Sequence, residues 1–441
     1  MQALLDLIKK LLPNSVLKKI RPLGHGFLAY LAALRYGFPS ARLIVIGVTG
    51  TSGKSTTIQM LAKILNSVGR KTGYATTVGF FDGEQQRINS QGMSMPGRFG
   101  LQRDLRAMAD RGCQIAIVEC TSEGLAQNRH LGVNFDLALL TNLSEAHIEA
   151  HGSFEQYKRA KARLFAATSR GKKKKFFSKK ILGLNLDSAD PYFFSFAADE
   201  KFGITRFDPE AALLEKKVNK VYWIRAGSPQ AFKLNEQEFV LTMPGEFNYE
   251  NAALAAACAA SLDVALGESA AALRDFSGVL GRMQRIPNDK GFGIYLDYAP
   301  EPAGMRAALD SLKPLVKGRI IHVFGSTGGH RDVRKRFEFG AISAQRADVI
   351  VITNDDVYDS DPQAIAADVQ KGIEQVAVGN RRAMEVRTIL DRREAIKTAL
   401  KLARPEDAVI ITGKGSEQFL ILPGNKRIAW DEQKVIEEAL A

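Results

Sequence analysis

The residues best suited to chemistry are Lys54, Ser55 and Thr56, which close the stretch Thr-Gly-Thr-Ser-Gly-Lys-Ser-Thr at 49–56. This spacing suits a polyphosphate. Gly50, Thr51, Ser52 and Gly53 make a turn whose backbone N–H groups face the phosphates, as does the N-terminus of a following helix. The lysine reaches the terminal phosphates, and the Ser55 hydroxyl binds magnesium. One position departs from the strict pattern: Val48 stands where the first glycine belongs, and Gly50 supplies flexibility inside the loop instead. The stretch predicts binding of ATP with Mg2+.

Such a loop needs a strand before it and a helix after it. Leu43–Val48 is an apolar run of strand length, and Ile58, Leu61, Ala62, Leu65 and Val68 recur at helical spacing before Gly69. Glu119 closes the run Ile115–Val118, where a carboxylate would stand at the ligand-binding edge of a parallel sheet. Thr141 and Asn142 close the next strand, Leu137–Leu140, and His147 lies just beyond. His-Ile-Glu-Ala-His at 147–151 resembles a zinc-protease motif but has Glu one place too late, so that reading is rejected. His151 is read as the start of a surface helix.

Strand-like and helix-like segments alternate from Leu43 onward, and the pattern starts afresh after Gly281 with runs at 294–296, 320–324, 349–352 and 409–411. The expected fold is α/β: a P-loop domain with a parallel sheet, then a C-terminal doubly wound, Rossmann-like domain. The expected division is a short basic amphipathic segment at 1–42, a central domain at 43–280 and a C-terminal domain at 281–441. Residues 190–243 read as a small antiparallel insert, and Lys172–Lys175 as a solvated loop tip.

Hydrophobic content of 45% and charged content of 25% are those of a globular chain. Cys113, Cys120 and Cys258 are scattered and odd in number, which excludes a disulfide framework and fits a reducing cytosol. A net charge of +13 implies an anionic partner, while no aromatic RNA-binding motif or zinc-finger spacing supports nucleic acid. Leu4, Leu5, Ile8, Leu11 and Leu12 fall at helical spacing among Lys9, Lys10, Lys18, Lys19 and Arg21, and a second apolar stretch covers 27–34. This stretch is too short to span a bilayer. Two readings stay open: helices packed on the domain behind them, or a basic amphipathic surface resting on a membrane through residues 1–40.

Taken together, the motifs resemble those of the Mur ligases of peptidoglycan synthesis, in particular the branch that adds the third, diamino acid to the muramoyl dipeptide. The resemblance runs from about Leu43 to Trp430. Beside 49–56 it rests on Glu-Cys-Thr-Ser-Glu-Gly-Leu (119–125), Thr-Asn-Leu-Ser-Glu-Ala-His (141–147) and Tyr-Lys-Arg-Ala-Lys-Ala-Arg-Leu-Phe (157–165). It continues through Pro-Gly-Glu-Phe-Asn-Tyr-Glu-Asn (244–251), Gly-Arg-Met-Gln-Arg (281–285), Asp-Tyr-Ala (297–299), Gly-Gly-His-Arg-Asp (328–332) and Gly-Lys-Gly-Ser-Glu (413–417).

The resemblance implies that ATP converts a carboxylate to an acyl phosphate, which the amine of an amino acid then attacks. Lys54 would hold the ATP phosphates. Ser55 and Glu119 would ligate one Mg2+, and His147 a second together with a carbamylated Lys161. Asn251 would contact adenine, Arg282 the phosphates and Asp297 the ribose. Thr141, Asn142, Arg331, Asp356 and Glu417 fall to the substrates, a muramoyl-peptide acceptor and a free amino acid. The setting implied is cytoplasmic, with a peripheral place at the inner membrane face if the second reading of the N-terminus holds.

Two departures bear on the substrates. Only about 42 residues precede the first strand, too few for the family's UDP-binding domain, so a lipid-linked acceptor competes with a UDP-linked one. The diaminopimelate-type motif Asp-Asn-Pro-Arg is Asp355-Asp356-Val357-Tyr358 here. Losing that Arg while gaining Asp356 and Asp359 favours an amine at the far end of the amino acid, so lysine or ornithine competes with diaminopimelate. The family's histidines are replaced by Ser416 and Glu123, with no physical account. Other readings are a related ligase acting on a folate or polyglutamate acceptor, or a non-catalytic nucleotide-binding membrane partner.

Overall fold

The computed structural model describes residues 14–89, 95–145, 151–210, 218–228, 230–329 and 332–441, with side chains from residue 24 on. The chain divides into two compact units, 1–224 with 251–272 and 225–250 with 273–441. The expected α/β class holds in both.

In the first unit a helix, α1 (Asn14–Arg35), precedes β1 (Ile44–Thr49) and α2 (Lys54–Ser67). Then come β2 (Thr72–Ala75), β3 (Gly79–Phe81), β4 (Gln86–Ile88), α3 (Arg98–Asp110), β5 (Ile115–Glu119) and α4 (Ser122–Ala126). After these follow β6 (Leu137–Leu140), α5 (Phe154–Arg170), β7 (Ile181–Asn185), β8 (Glu200–Thr205) and β9 (Lys220–Ala226). The strands lie in the order β9-β8-β7-β6-β1-β5-β2-β3-β4. From β9 to β2 every neighbour is parallel, and the pairings β2–β3 and β3–β4 are antiparallel. Parallel strands are buried on both faces, which is why β1, β5 and β6 read as unbroken apolar runs.

The expected antiparallel insert at 190–243 is corrected. β8 and β9 extend the parallel sheet, because the connections 186–199 and 206–219 are long enough for parallel crossovers. Only β10 (Ala231–Leu234) and β11 (Gln237–Val240) form an antiparallel hairpin.

Lys172–Lys175 is not uniformly a solvated tip. Lys174 is only 7% exposed, because its ammonium donates to the carbonyls of Leu43 (2.6 Å) and Asn134 (3.0 Å) and to the carboxylate of Asp136. Lys180 reaches the other Asp136 oxygen at 3.2 Å, and Val45 N–H donates to Asp136 at 2.9 Å. Three groups thus surround one buried carboxylate below β1 and β6.

After a helix, α6 (Glu246–Ala260), and α7 (Leu266–Arg274), the second unit builds β12 (Gln284–Arg285), β13 (Gly293–Asp297), α8 (Pro302–Leu312), β14 (Ile320–Phe324) and α9 (Arg334–Arg346). It continues with β15 (Val349–Ile352), α10 (Pro362–Glu374), β16 (Glu385–Thr388), α11 (Arg392–Leu402) and β17 (Ala408–Thr412). The hairpin β18 (Phe419–Leu422) with β19 (Lys426–Ala429) and helix α12 (Glu432–Leu440) close it. Its sheet order is β12-β13-β17-β14-β15-β16, parallel except for β12. Alternate strand residues feed two cores. Phe324, Ile350, Ile352 and Ile410 pack with Leu309, Ile342 and Val369, whereas Ile321, Val323, Val351 and Ile411 pack with Ile396, Ala399 and Ile436. Helices on both faces make this the doubly wound layout expected.

Candidate active site

β1 runs to Thr49, and the chain then turns through Gly50–Gly53 into α2. Val48 needs no glycine's freedom because it is still a strand residue, paired in register with Glu119 of β5. The turn falls to Gly50, where a Cβ would stand 1.8 Å from the Thr141 hydroxyl. Gly53, the N-cap of α2, has φ 77°, and a Cβ there would stand 2.2 Å from Asn251 Oδ1. Both glycines permit close approach as well as turning.

The end of β6 braces the loop. Thr51 N–H donates to the Asn142 carbonyl (3.0 Å), Ser52 N–H to Asn142 Oδ1 (2.9 Å), and the Thr141 hydroxyl to the Ser52 carbonyl (2.6 Å). Asn251 approaches from α6, where its Oδ1 accepts from the Thr57 hydroxyl at 3.2 Å. Thr56 is buried in the first turn of α2.

Three charged side chains meet behind the loop. Ser55 Oγ donates to Glu119 Oε2 at 2.7 Å, and Glu119 also accepts from Thr77 N–H (2.9 Å) and the Thr77 hydroxyl (2.7 Å). Lys54 Nζ donates to the carbonyls of Gly50 and Thr51, both at 3.0 Å. Lys161, from α5, donates to the same Gly50 carbonyl at 2.6 Å and lies 4.3 Å from the Tyr157 ring centre. Complete burial, and next the neighbouring charge of Lys54, hold the Lys161 amine well below the usual lysine range, with Glu119 opposing them.

Two contributors escaped the sequence reading. Thr77 stands just past β2, so the strand-end rule that found Glu119 would have found it as well. Tyr157 sits within a quoted motif, yet nothing in its spacing announces that its hydroxyl donates to Thr51 Oγ1 at 3.0 Å. His151 is half-buried rather than a surface residue: its Nε2 lies 3.0 Å from Ser122 Oγ and its ring 5.4 Å from that of Tyr157. His147 and Arg331 lie outside the described residues.

These groups fit a magnesium-bound polyphosphate. Among the described residues no group of three His, Cys, Asp or Glu side chains is placed to hold a metal ion by itself. A hydroxyl–carboxylate pair beside a phosphate loop is what Mg2+ takes when phosphates and water complete its shell. Ser55 and Glu119 form a pair of that chemistry.

The second unit holds its own cluster. Lys414, fully buried after β17, donates to Asp356 Oδ1 at 2.9 Å and to Glu417, with Asp355 at 3.9 Å. Burial pulls its ammonium down, but Asp355, Glu417 and Asp356 together push it above the ordinary lysine value. Burial raises the carboxyls of Asp356 and Glu417 against the pull of Lys414. Arg392, fully buried and paired with Glu432 at 2.6 Å, donates to the carbonyls of Asn354 (3.0 Å) and Thr412 (2.8 Å), bracing both loops of the cluster. Asp297, raised by burial, accepts from Met283 N–H (2.7 Å) and Ala299 N–H (2.9 Å). Arg282 lies over the Tyr298 ring at 4.5 Å.

Comparison with known proteins matches the Mur ligase middle domain to residues 48–259 and the Mur ligase, glutamate ligase domain to 281–415. The chain is 36% identical over 423 residues to a UDP-N-acetylmuramyl-tripeptide synthetase of Roseiflexus sp. (strain RS-1), covering 94% of this chain and 82% of the relative. It is 33% identical to a UDP-N-acetylmuramoyl-L-alanyl-D-glutamate–2,6-diaminopimelate ligase of Gloeobacter violaceus, covering 94% and 81%. Among solved structures, one such diaminopimelate ligase aligns at TM-score 0.59 and 28% identity over 90% of this chain and 78% of its own. A Mycobacterium tuberculosis folylpolyglutamate synthase complexed with ADP and AMPPCP aligns at TM-score 0.66 and 17% identity over 91% and 95%, a likeness of fold alone.

Proposed function

The chain belongs to the Mur ligase family, and from that premise we propose that it is an ATP-dependent amide ligase that adds a diamino acid to a muramoyl-L-Ala-D-Glu type acceptor in the cytoplasm. The observation that carries this reading is the meeting of Lys54, Ser55, Glu119 and Lys161 around one phosphate loop.

A carboxylate does not yield its oxygen to an amine. It must first attack the γ-phosphorus of ATP, forming an O–P bond as the bond to ADP breaks; the amine then adds to the carbonyl carbon and phosphate leaves. Lys54 and the N–H groups at the start of α2 hold the transferring phosphoryl group, while the Thr51 and Ser52 N–H groups are engaged by Asn142, which with Thr141 keeps the loop in shape. Bound Mg2+ would neutralise phosphate charge, with Ser55, Glu119 and His147 as the residues offered to it. Lys161 is suited to become a carbamate. Its amine, favoured in the uncharged form, adds to CO2 and releases one proton, and the remaining N–H can still donate to Gly50.

We assign nucleotide and acceptor chemistry to 43–280, preceded by the 1–42 segment, and amino-acid delivery to 281–441. Asn251 would serve the adenine, with Arg282 on the phosphates and Asp297 on the ribose. Asp356 and Glu417, with Arg331, would hold the amino acid. Three carboxylates around the single Lys414 leave that cluster acidic, which favours a cationic far end such as that of lysine.

The test is an ATP-dependent ligation screen, followed by phosphate release and product mass. It crosses diaminopimelate, lysine and ornithine with UDP-linked and lipid-linked muramoyl dipeptides and with a folyl-glutamate acceptor. A tripeptide product with ADP is expected. No product from either muramoyl acceptor would overturn the proposal.

A further inference from the structure

Helix α1 has two unlike faces. Ala29, Ala32 and Ala33 are buried on the side that packs against α3, and Gly132 approaches so closely that a Cβ there would lie 2.8 Å from Ala33 Cβ. The other side is apolar yet exposed. Phe27 (65%), Tyr30 (55%), Leu31 (39%) and Leu34 (65%) recur at i, i+3, i+4 and i+7, and Phe38 follows at 41%. Single exposed apolar residues are ordinary, but a continuous stripe with three aromatics marks an interaction surface.

Charge identifies the occupant. Between Asp6 and Asp82 the sequence has no Asp or Glu, and the α1 sequence contains Lys18, Lys19, Arg21 and Arg35. The chain as a whole carries +13. Every charge within α1 itself is positive, which an anionic lipid surface complements when the same helix carries an exposed aromatic and leucine stripe. Among the described residues no helix is long and apolar enough to cross a bilayer, and a stripe of this length on one helix face suits a helix lying in the interface plane.

We propose that the Phe27–Tyr30–Leu31–Leu34 face of α1 docks on the surface of membranes rich in anionic phospholipid. The docking brings the chain to the membrane independently of which substrate it ligates. Apolar insertion and electrostatic attraction act together, because neither a short stripe nor a few cations suffices alone.

The experiment is co-sedimentation of the full chain with vesicles of phosphatidylglycerol and phosphatidylcholine, beside vesicles of phosphatidylcholine only, at low and high salt. Phe27→Ser/Leu34→Ser is the test variant, checked for an unchanged melting temperature. Binding is expected to the anionic vesicles, weakened by salt, and reduced about tenfold or more by the double variant. Four outcomes overturn the proposal. They are no binding by the parent chain, equal binding by the variant, a dimer that the variant dissolves without any vesicle binding, and binding that appears only once residues 1–13 are deleted. The last would mean that those residues cover the stripe. Ligase activity on a soluble acceptor, measured in parallel, keeps this result separate from the assignment of function.

Discussion

Lys54 and Lys161 donate to one and the same oxygen, the carbonyl of Gly50, at 3.0 and 2.6 Å. Two ammonium groups cannot both stay charged cheaply at one buried acceptor. The fully buried Lys161 yields, and its amine is driven toward the neutral form. Lys161 is thereby biased toward the state that the proposed carbamate requires.

Lys161→Ala is expected to lower ligation by about a hundredfold or more, with ATP binding kept, since the loss falls on charge stabilisation. Short carboxylic acids added to the assay should restore part of the rate, and 13C-bicarbonate should label the parent chain but not the variant. A variant as active as the parent would remove the carbamate from the mechanism.

Glu119 gathers Ser55 and Thr77 on one carboxylate. Glu119→Gln keeps the shape but removes the charge offered to Mg2+. Turnover should fall roughly 10²–10³-fold and the Mg2+ concentration for half-maximal rate should rise. A magnesium titration at saturating ATP reads both.

Gly50→Ala places a methyl 1.8 Å from the Thr141 hydroxyl. Such overpacking costs about 1–3 kcal/mol and would push the loop from its braces on Thr141 and Asn142. ATP affinity, read by calorimetry, should fall more than the melting temperature does.

Lys174→Met should cost about 3 kcal/mol, because it strips one of two ammonium partners from a buried carboxylate. Lys172→Met, two residues earlier and exposed, should stay within about 0.5 kcal/mol. Chemical denaturation of both variants gives the comparison.

His322 is buried between Ser343 (2.8 Å) and Thr412 (3.0 Å), and burial pulls its pKa down to about 3. The unfolded chain binds a proton there near its ordinary value of about 6.5, so stability from this group is full above that pH and is lost as pH falls toward 3. His322→Asn should flatten the fall of stability between about pH 6.5 and 3 by up to one proton's worth of slope. An unchanged slope in a folded variant would contradict this.

The local features were legible because they depend on short stretches. The strand–loop–helix around 49–56, the carboxylate ending β5 and the two-sided sheet of the second unit follow from apolar periodicity and turn chemistry. The misreadings have a common cause. Lys174 looks like a solvated cation within its own segment, but distant chain buries it against Asp136 and Leu43. Lys161 takes its role from the family resemblance alone, because its contact with Gly50 is not contained in its own segment. The parallel course of β8 and β9 likewise depended on neighbours that spacing does not name.

By itself, then, the sequence determined the α/β class, the phosphate loop and the family motifs, since each is written in residues close along the chain. Only the tertiary structure decided which lysine is pushed toward its neutral form, which carboxylate is already satisfied, and that one apolar face of α1 is exposed among the described residues. Burial and electrostatic environment are properties of neighbours brought together by folding, and no window along the chain contains them.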